Sequence, residues 1–271
     1  MVGQPRRSVM ENSNTIFSLK KKVAIVTGAY GDLGFSISKA YLEAGANVVL
    51  AGLSKRSLDS MVQKLETYSD SILSCVVDVS DAAQVKAMVD NVIDRFGQID
   101  ILVTAAGVQH REPIGIFNHD EWNKVLQVNL TGAFYCAQAV IKHMIKRKTG
   151  RIIMISSLTA EIGIPNIAAY AASRGGVKQL GKTMAVELAS SGITVNCVGP
   201  GRFKTKMTED IFSEESKRKK FLNAIPMRRA GVPADLSGIL IFLASDSSSY
   251  ITGQSIYVDG GWLAGGGNIS G

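Results

Sequence analysis

Short apolar runs bounded by glycine or polar residues alternate along this chain with segments whose apolar residues recur every turn of a helix. The first run lies within Lys21–Gly28, and helical periodicity follows from Leu33 through Tyr41 and Leu42 to Gly45. Asn47–Ala51 is a second run, ahead of a helix over Ser57–Tyr68 and the run in ILSCVVDVSD. A helix ending at Phe96 before Gly97 leads to Asp100–Val103. Further on come the run Arg151–Ile155, an alanine-rich helix reaching Ser190, and ITVNCVGPG. Pro233 opens a helix to Leu243, and ITGQSIYVDGGW holds a last strand. Continuous apolar runs are strands covered on both faces, as in parallel sheets. Six or seven of them alternating with helices predict an α/β, doubly wound parallel sheet (Rossmann-type) in a single domain. Residues 1–18 lack this pattern and are expected to be a poorly ordered leader, with the domain spanning 19–271.

Composition agrees with one domain: 271 residues, 46% of them hydrophobic and 20% charged, can bury a substantial core. Cys75, Cys136 and Cys197 are far apart, odd in number and set in apolar surroundings, which reads as reduced core thiols of a cytoplasmic protein. No metal-ligand spacing is present, and no metal is expected. The chain has no apolar run near the roughly 18 residues that span a bilayer, and its first residues lack the apolar core of a signal peptide. The net charge of +7 comes from short scattered groups without interleaved aromatics. That pattern fits solvated faces and one anionic ligand better than a nucleic-acid surface.

The chemistry begins at the first turn. Strand, glycine turn, helix and strand in that order form a dinucleotide-binding unit, whose helix N-terminus meets a pyrophosphate through backbone N–H groups. The turn is TGAYGDLG, with Gly28, Tyr30, Gly31, Asp32, Leu33 and Gly34 as candidate cofactor residues. A carboxylate at Asp32 would crowd phosphate unless it points outward or caps the helix. In NAD-preferring units an acid ends the second strand and bonds the ribose 2′-hydroxyl. Here that end reads Gly52-Leu53-Ser54-Lys55-Arg56, so Ser54, Lys55 and Arg56 are expected to hold a 2′-phosphate, favouring NADP with NAD as the alternative.

A second centre lies in Ser156–Arg174. Residues four apart share a helix face, so Tyr170 and Arg174 point the same way, and Ser157 at a strand end can face them across a cleft. A phenol beside a cation suits proton transfer to or from an alcohol, and the serine can bond the developing oxyanion.

The spacing of Ser157, Tyr170 and the base four residues on, together with TGAYGDLG, resembles the short-chain dehydrogenase/reductase family. The similarity covers Leu19 to about Trp262. It extends to the family's gluconate 5-dehydrogenase branch through Arg111 after Gly107 and through IPM, FLASDSSSYITGQ and YVDGGWLA. The resemblance implies an oxidoreductase that interconverts a secondary alcohol and a ketone, on a sugar acid such as gluconate and 5-ketogluconate. Tyr170 would be the acid/base, Ser157 the carbonyl-polarising group, Asn129 the holder of a relay water, and Arg174 the ribose ligand that lowers the Tyr170 pKa. Asp78 and Val79 would meet the adenine, and Ala106 and Gly107 would flank the cofactor. Pro200, Gly201, Phe203 and Thr205 would line its nicotinamide and phosphate side. His110, Arg111 and Arg202 would bind an anionic small-molecule substrate beneath a lid at about 202–229, in a homotetramer. Four positions depart from the family pattern. Asp32 replaces a glycine, Thr104 and Ala105 replace asparagines, and Arg174 replaces lysine; Thr104 is expected to restore one lost hydrogen bond. Together the departures raise an alternative, a nucleotide-binding member with impaired or no dehydrogenase activity.

Overall fold

In the computed structural model, which describes residues 16–265, seven parallel strands form one sheet. They are β1 (Val23–Thr27), β2 (Asn47–Gly52), β3 (Ile72–Val76), β4 (Ile101–Thr104), β5 (Gly150–Ile155), β6 (Ile193–Pro200) and β7 (Ser255–Val258). The helices in chain order are α1 (Asp32–Glu43), α2 (Lys55–Lys64), α3 (Ala82–Phe96), α4 (His119–Leu126), α5 (Gly132–Arg147), α6 (Ala168–Leu188), α7 (Glu209–Ser213), α8 (Glu215–Asn223) and α9 (Ser237–Ala244).

Every residue of β1, β4, β5 and β6 is buried, which is why these strands read as unbroken apolar runs. One core packs α3, α5 and α6 against one face of the sheet; a second packs α1, α2 and α9 against the other. The strand order β3-β2-β1-β4-β5-β6-β7 reverses direction between β1 and β4. Ligands of such sheets bind at that switch point, outside the strands' carboxyl ends. Val23 pairs with Asn47 and Ala24 with Ile101, so the first turn opens there between β2 and β4.

Element ends follow local chemistry. Asp81 caps α3 by accepting from the N–H groups of Ala83 and Gln84, and Gly97 stops it in the left-handed region at φ 74°. The helix expected over Ser57–Tyr68 begins earlier, because Ser54 caps it, and it ends at Lys64 in a 3₁₀ turn over Glu66–Ser71. Pro233 opens a 3₁₀ turn, Pro233–Leu236, and the α-helix proper starts at Ser237.

Most of the expected leader lies outside the described residues, but its last part is docked. The ring of Phe17 meets Phe242 edge-on at 6.2 Å, and Ser247 Oγ donates to the Ile16 carbonyl at 2.7 Å. The segment expected to be a lid holds α7 and α8, and in it Phe221 and Ile225 pack with Leu158 and Trp262 in a small cluster. Burial pushes the Cys197 thiol up to about 11 and Cys136 up to about 12, so both are poor nucleophiles. Among the described residues no helix is long and apolar enough to cross a membrane.

Candidate active site

The first turn is closed by its glycines. Gly28 adopts φ +66°, and a β-carbon there would stand 2.8 Å from the Ala106 Cα. At Gly34 a β-carbon would stand 2.2 Å from the Gly28 carbonyl, so only glycine lets α1 sit this close to β1. Gly31 caps α1 without any side-chain bond to its N–H groups. The first-turn amides therefore lack helical partners and face a cleft of about 520 Å³ lined by Gly28, Tyr30 and Gly31–Gly34. Such a helix end fits a pyrophosphate.

Asp32 neither caps α1 nor stands free. Its carboxylate accepts the Lys206 backbone N–H at 2.6 Å, which ties the lid base to the turn. Thr208, next to it, donates to the Phe203 carbonyl at 2.8 Å and accepts from the Thr205 N–H at 3.0 Å. Thr205, Phe203, Pro200 and Gly201 all line the cleft as expected. Gly201 must be glycine because a β-carbon there would meet the Asp259 Cα at 2.5 Å.

Of the two cations expected at the ribose, one is paired at the surface and the other is exposed. Ser54 accepts from the Ser57 N–H at 3.2 Å, Lys55 pairs with Asp59 at 2.7 Å, and Arg56 is exposed; none of the three lines the cleft. Asp78 does not cap α3 either. Its Oδ1 accepts from the N–H (2.9 Å) and hydroxyl (2.6 Å) of Ser80, beside a buried Val79 packed on Gly132.

The loop after β4 shows a second correction. Thr104, expected to restore a lost hydrogen bond, buries an unpartnered hydroxyl. The bonds come instead from Thr27, which sits between Ala51 and Thr104 in the sheet. Its Oγ1 accepts from the N–H groups of Ala105 (3.1 Å) and Ala106 (3.2 Å). That holds Ala105 and Gly107 in the cleft wall.

Asn129 sits in a π-turn, Gln127–Thr131, and is 1% exposed. Its Oδ1 accepts from the Val108 N–H (2.8 Å), and its Nδ2 donates to the Val108 carbonyl (2.9 Å) and to Ser173 Oγ (3.1 Å). Asn129, expected to hold a relay water, thus also clamps the loop that follows β4. Ser173 in turn donates to the Tyr170 carbonyl at 2.7 Å. Sequence reasoning passed over Ser173, although its place three residues after Tyr170 puts it on a neighbouring face.

Ser157, Tyr170 and Arg174 are brought together as expected, in the cleft that the glycine turn also lines. Ser157 accepts from the Thr159 N–H at 3.2 Å. The Arg174 guanidinium carbon lies 5.0 Å from the centroid of the Tyr170 ring. Arg174 is 5% exposed; its Nη1 donates to the Ile155 carbonyl at 2.8 Å, and its Nε is buried without a partner. Gly107 makes room for it: a β-carbon there would stand 2.2 Å from Nη2. Ser156 adds a bond from its hydroxyl to the Arg174 carbonyl at 3.1 Å.

The three expected substrate residues outside this triad diverge. Arg202 lines a separate cavity of about 360 Å³, where its guanidinium stacks on Phe221 (4.7 Å) and Trp262 (5.5 Å). Burial holds its pKa below the usual arginine value. His110 lies 3.4 Å from Glu112 and 3.8 Å from Glu121, against the Phe117 ring. Arg111 is exposed on the loop that leaves Gly107, and the next N–H, of Glu112, bonds the Asn166 carbonyl just ahead of α6. Beyond Ser157, Glu161 accepts from Lys178 and, at 2.5 Å, from the Tyr257 hydroxyl; these bonds hold its carboxyl below the usual glutamate range.

Comparison with known proteins agrees with this geometry. A family model described as enoyl-(acyl carrier protein) reductase matches residues 28–263. The 3-oxoacyl-[acyl-carrier-protein] reductase of Thermotoga maritima is 39% identical over 243 residues, covering 90% of this chain and 98% of that protein. The 5-keto-D-gluconate 5-reductase of Escherichia coli is 36% identical over 250 residues, covering 92% and 98%. A crystal structure of gluconate 5-dehydrogenase from Burkholderia cenocepacia, in complex with NADP and tartrate, superposes with a TM-score of 0.89 at 35% identity, covering 93% and 99%. With a glycine turn on α1 and a Ser–Tyr–Arg cluster facing it across one cleft, the chain belongs to the short-chain dehydrogenase/reductase family of oxidoreductases.

Proposed function

We propose that this protein interconverts a secondary alcohol and a ketone on a sugar acid, of the gluconate and 5-ketogluconate kind, with NADP(H) as cofactor and NAD(H) as the alternative. The observation that carries the reading is that Ser157, Tyr170 and Arg174 line the cleft that receives the orphan amides of α1. The nicotinamide cofactor supplies or accepts hydride when bound. The chain's own residues do the rest. The α1 amides and Thr205 hold the pyrophosphate, and Ser157 donates to the carbonyl oxygen. Tyr170 carries the proton on its phenol oxygen, and its backbone carbonyl accepts from Ser173, which in turn accepts from Asn129.

An anionic substrate is supported by the cation in the cleft wall. Arg174 has no carboxylate partner among the described residues, and a buried, half-satisfied guanidinium favours an anionic or hydroxyl-rich ligand beside it. The relatives named for 5-keto-D-gluconate and gluconate, one with NADP and tartrate bound, support the same class. Relatives named for 3-oxoacyl carriers point to a different one. The test is NADPH consumption against a panel of keto-sugar acids and a 3-oxoacyl thioester. Faster turnover of the thioester would overturn the sugar-acid reading.

Exposed Phe134, Ile145 and Val186 on α5 and α6 support self-association, and a homotetramer is the assembly this reading takes. The buried free thiols support a reducing, cytoplasmic setting.

A further inference from the structure

The ring of Tyr30 lies against the last residue of β2. A β-carbon built on Gly52 would stand 2.6 Å from its Cε1 and 2.8 Å from its Cδ1. No side chain fits at Gly52 while the ring stays. In a strand–turn–helix dinucleotide unit, the end of the second strand is where an acid takes the ribose 2′-hydroxyl. Tyr30 comes from the turn that precedes α1, and it lines both the cofactor cleft and the groove beside it. That groove carries four lysines, Lys39, Lys64, Lys204 and Lys206, against two acids, Asp32 and Glu209.

We propose that Tyr30 is the specificity-determining residue of the cofactor site, acting as an interlock with Gly52. The ring fills the place of the ribose carboxylate and presents a phenol, not an acid, to the adenosine ribose. A 2′-phosphate is then met without the repulsion an acid would bring, in the positive field of the groove lysines. Discrimination lies in this exclusion and not in the Ser54–Arg56 run, where Ser54 is a helix cap, Lys55 pairs with Asp59 at the surface and Arg56 is exposed, all three outside the cleft lining. The proposal rests on the reading that the cleft holds a nicotinamide dinucleotide.

The test is fluorescence titration of NADPH and NADH, with thermal unfolding of each protein free of cofactor. The proteins are the wild type, Gly52→Asp, Tyr30→Ala, Tyr30→Ala with Gly52→Asp, and Lys55→Ala with Arg56→Ala. Gly52→Asp alone should lower the melting temperature and weaken both cofactors alike, because its side chain meets the ring. Adding Tyr30→Ala should restore stability. It should also shift the NADPH-to-NADH affinity ratio toward NADH by about tenfold or more, the equivalent of one charged hydrogen bond. Lys55→Ala with Arg56→Ala should leave the ratio nearly unchanged. A preference switched by Gly52→Asp alone would overturn the proposal, as would a ratio that collapses in the Lys55/Arg56 variant. Restored stability without a shift in ratio would overturn it while leaving the cleft reading intact. Binding of neither dinucleotide by the wild type would overturn the cleft reading, and the proposal with it.

Discussion

The Asp32 carboxylate, in the first turn of α1, accepts the backbone N–H of Lys206 at 2.6 Å across 174 positions of chain. An acid where the family pattern has glycine is thereby turned into a strap between the phosphate turn and the lid base. It still sits beside the place of the pyrophosphate, and like charges in a shared cleft repel. Asp32→Gly should tighten cofactor binding and loosen the lid, seen as faster tryptic cutting in the Lys217–Lys220 segment. Asp32→Asn keeps an acceptor, so it should tighten cofactor binding with little change in cutting. Equal cutting in all three proteins would show that the bond does not hold the lid.

Arg174 replaces the ammonium of the family pattern with a planar guanidinium. A fixed cation can bond a ribose and sit beside Tyr170, but its Nη1 is already committed to the Ile155 carbonyl. Its planar fork also stacks over the ring instead of ending at one point, as an ammonium would. Arg174→Lys should raise kcat, by no more than the about 10²–10⁴-fold that a general acid/base step is worth, with little change in cofactor Kd. A fall in kcat would make Arg174 a working catalytic residue here, and the impaired-enzyme alternative would go with it.

Arg111 is exposed on the loop between Gly107, in the cleft wall, and the contact with Asn166 ahead of α6. If it meets the substrate carboxylate, Arg111→Ala should cost about 1.5–3 kcal/mol, expressed mainly in KM for acids. The matching uncharged polyols should be little affected. An unchanged ratio of acid to polyol kcat/KM would remove this loop from the carboxylate site.

Two threonines one strand apart should behave oppositely. Thr104 buries a hydroxyl without a partner, so Thr104→Val should leave stability unchanged or raise it. Thr27 accepts two loop N–H groups, so Thr27→Val should cost about 1–3 kcal/mol and disturb the cleft wall. Urea unfolding of both variants checks the contrast.

Glu161 has its carboxyl held low first by the Lys178 bond and then by Tyr257. A pKa depressed on folding contributes stability that is fully present above the ordinary glutamate value of about 4.3 and is lost as pH falls through the lower folded value. The melting temperature of Glu161→Gln should lie below the wild type at neutral pH, and the gap should close in acid. A gap that stays constant between neutral pH and acid would rule out this linkage.

The fold was legible in the chain because its signals are local. Each buried strand is a continuous apolar run, and Gly97 marks a helix end by its own backbone chemistry. The order of strands and helices then leaves few topologies. Ser157, Tyr170 and Arg174 were legible too, since a helix places residues four apart on one face. The partners were not. Whether Thr27 or Thr104 holds the loop depends on which hydroxyl faces it across β1 and β4. Arg202 is polar in sequence, yet it lies between Phe221 and Trp262, which arrive from the lid and the C-terminal segment. Asp32 meets Lys206 and Tyr30 meets Gly52 only once the sheet has assembled. Side chains of this kind choose partners by distance in space, and the sequence alone determines only which groups are there to be chosen.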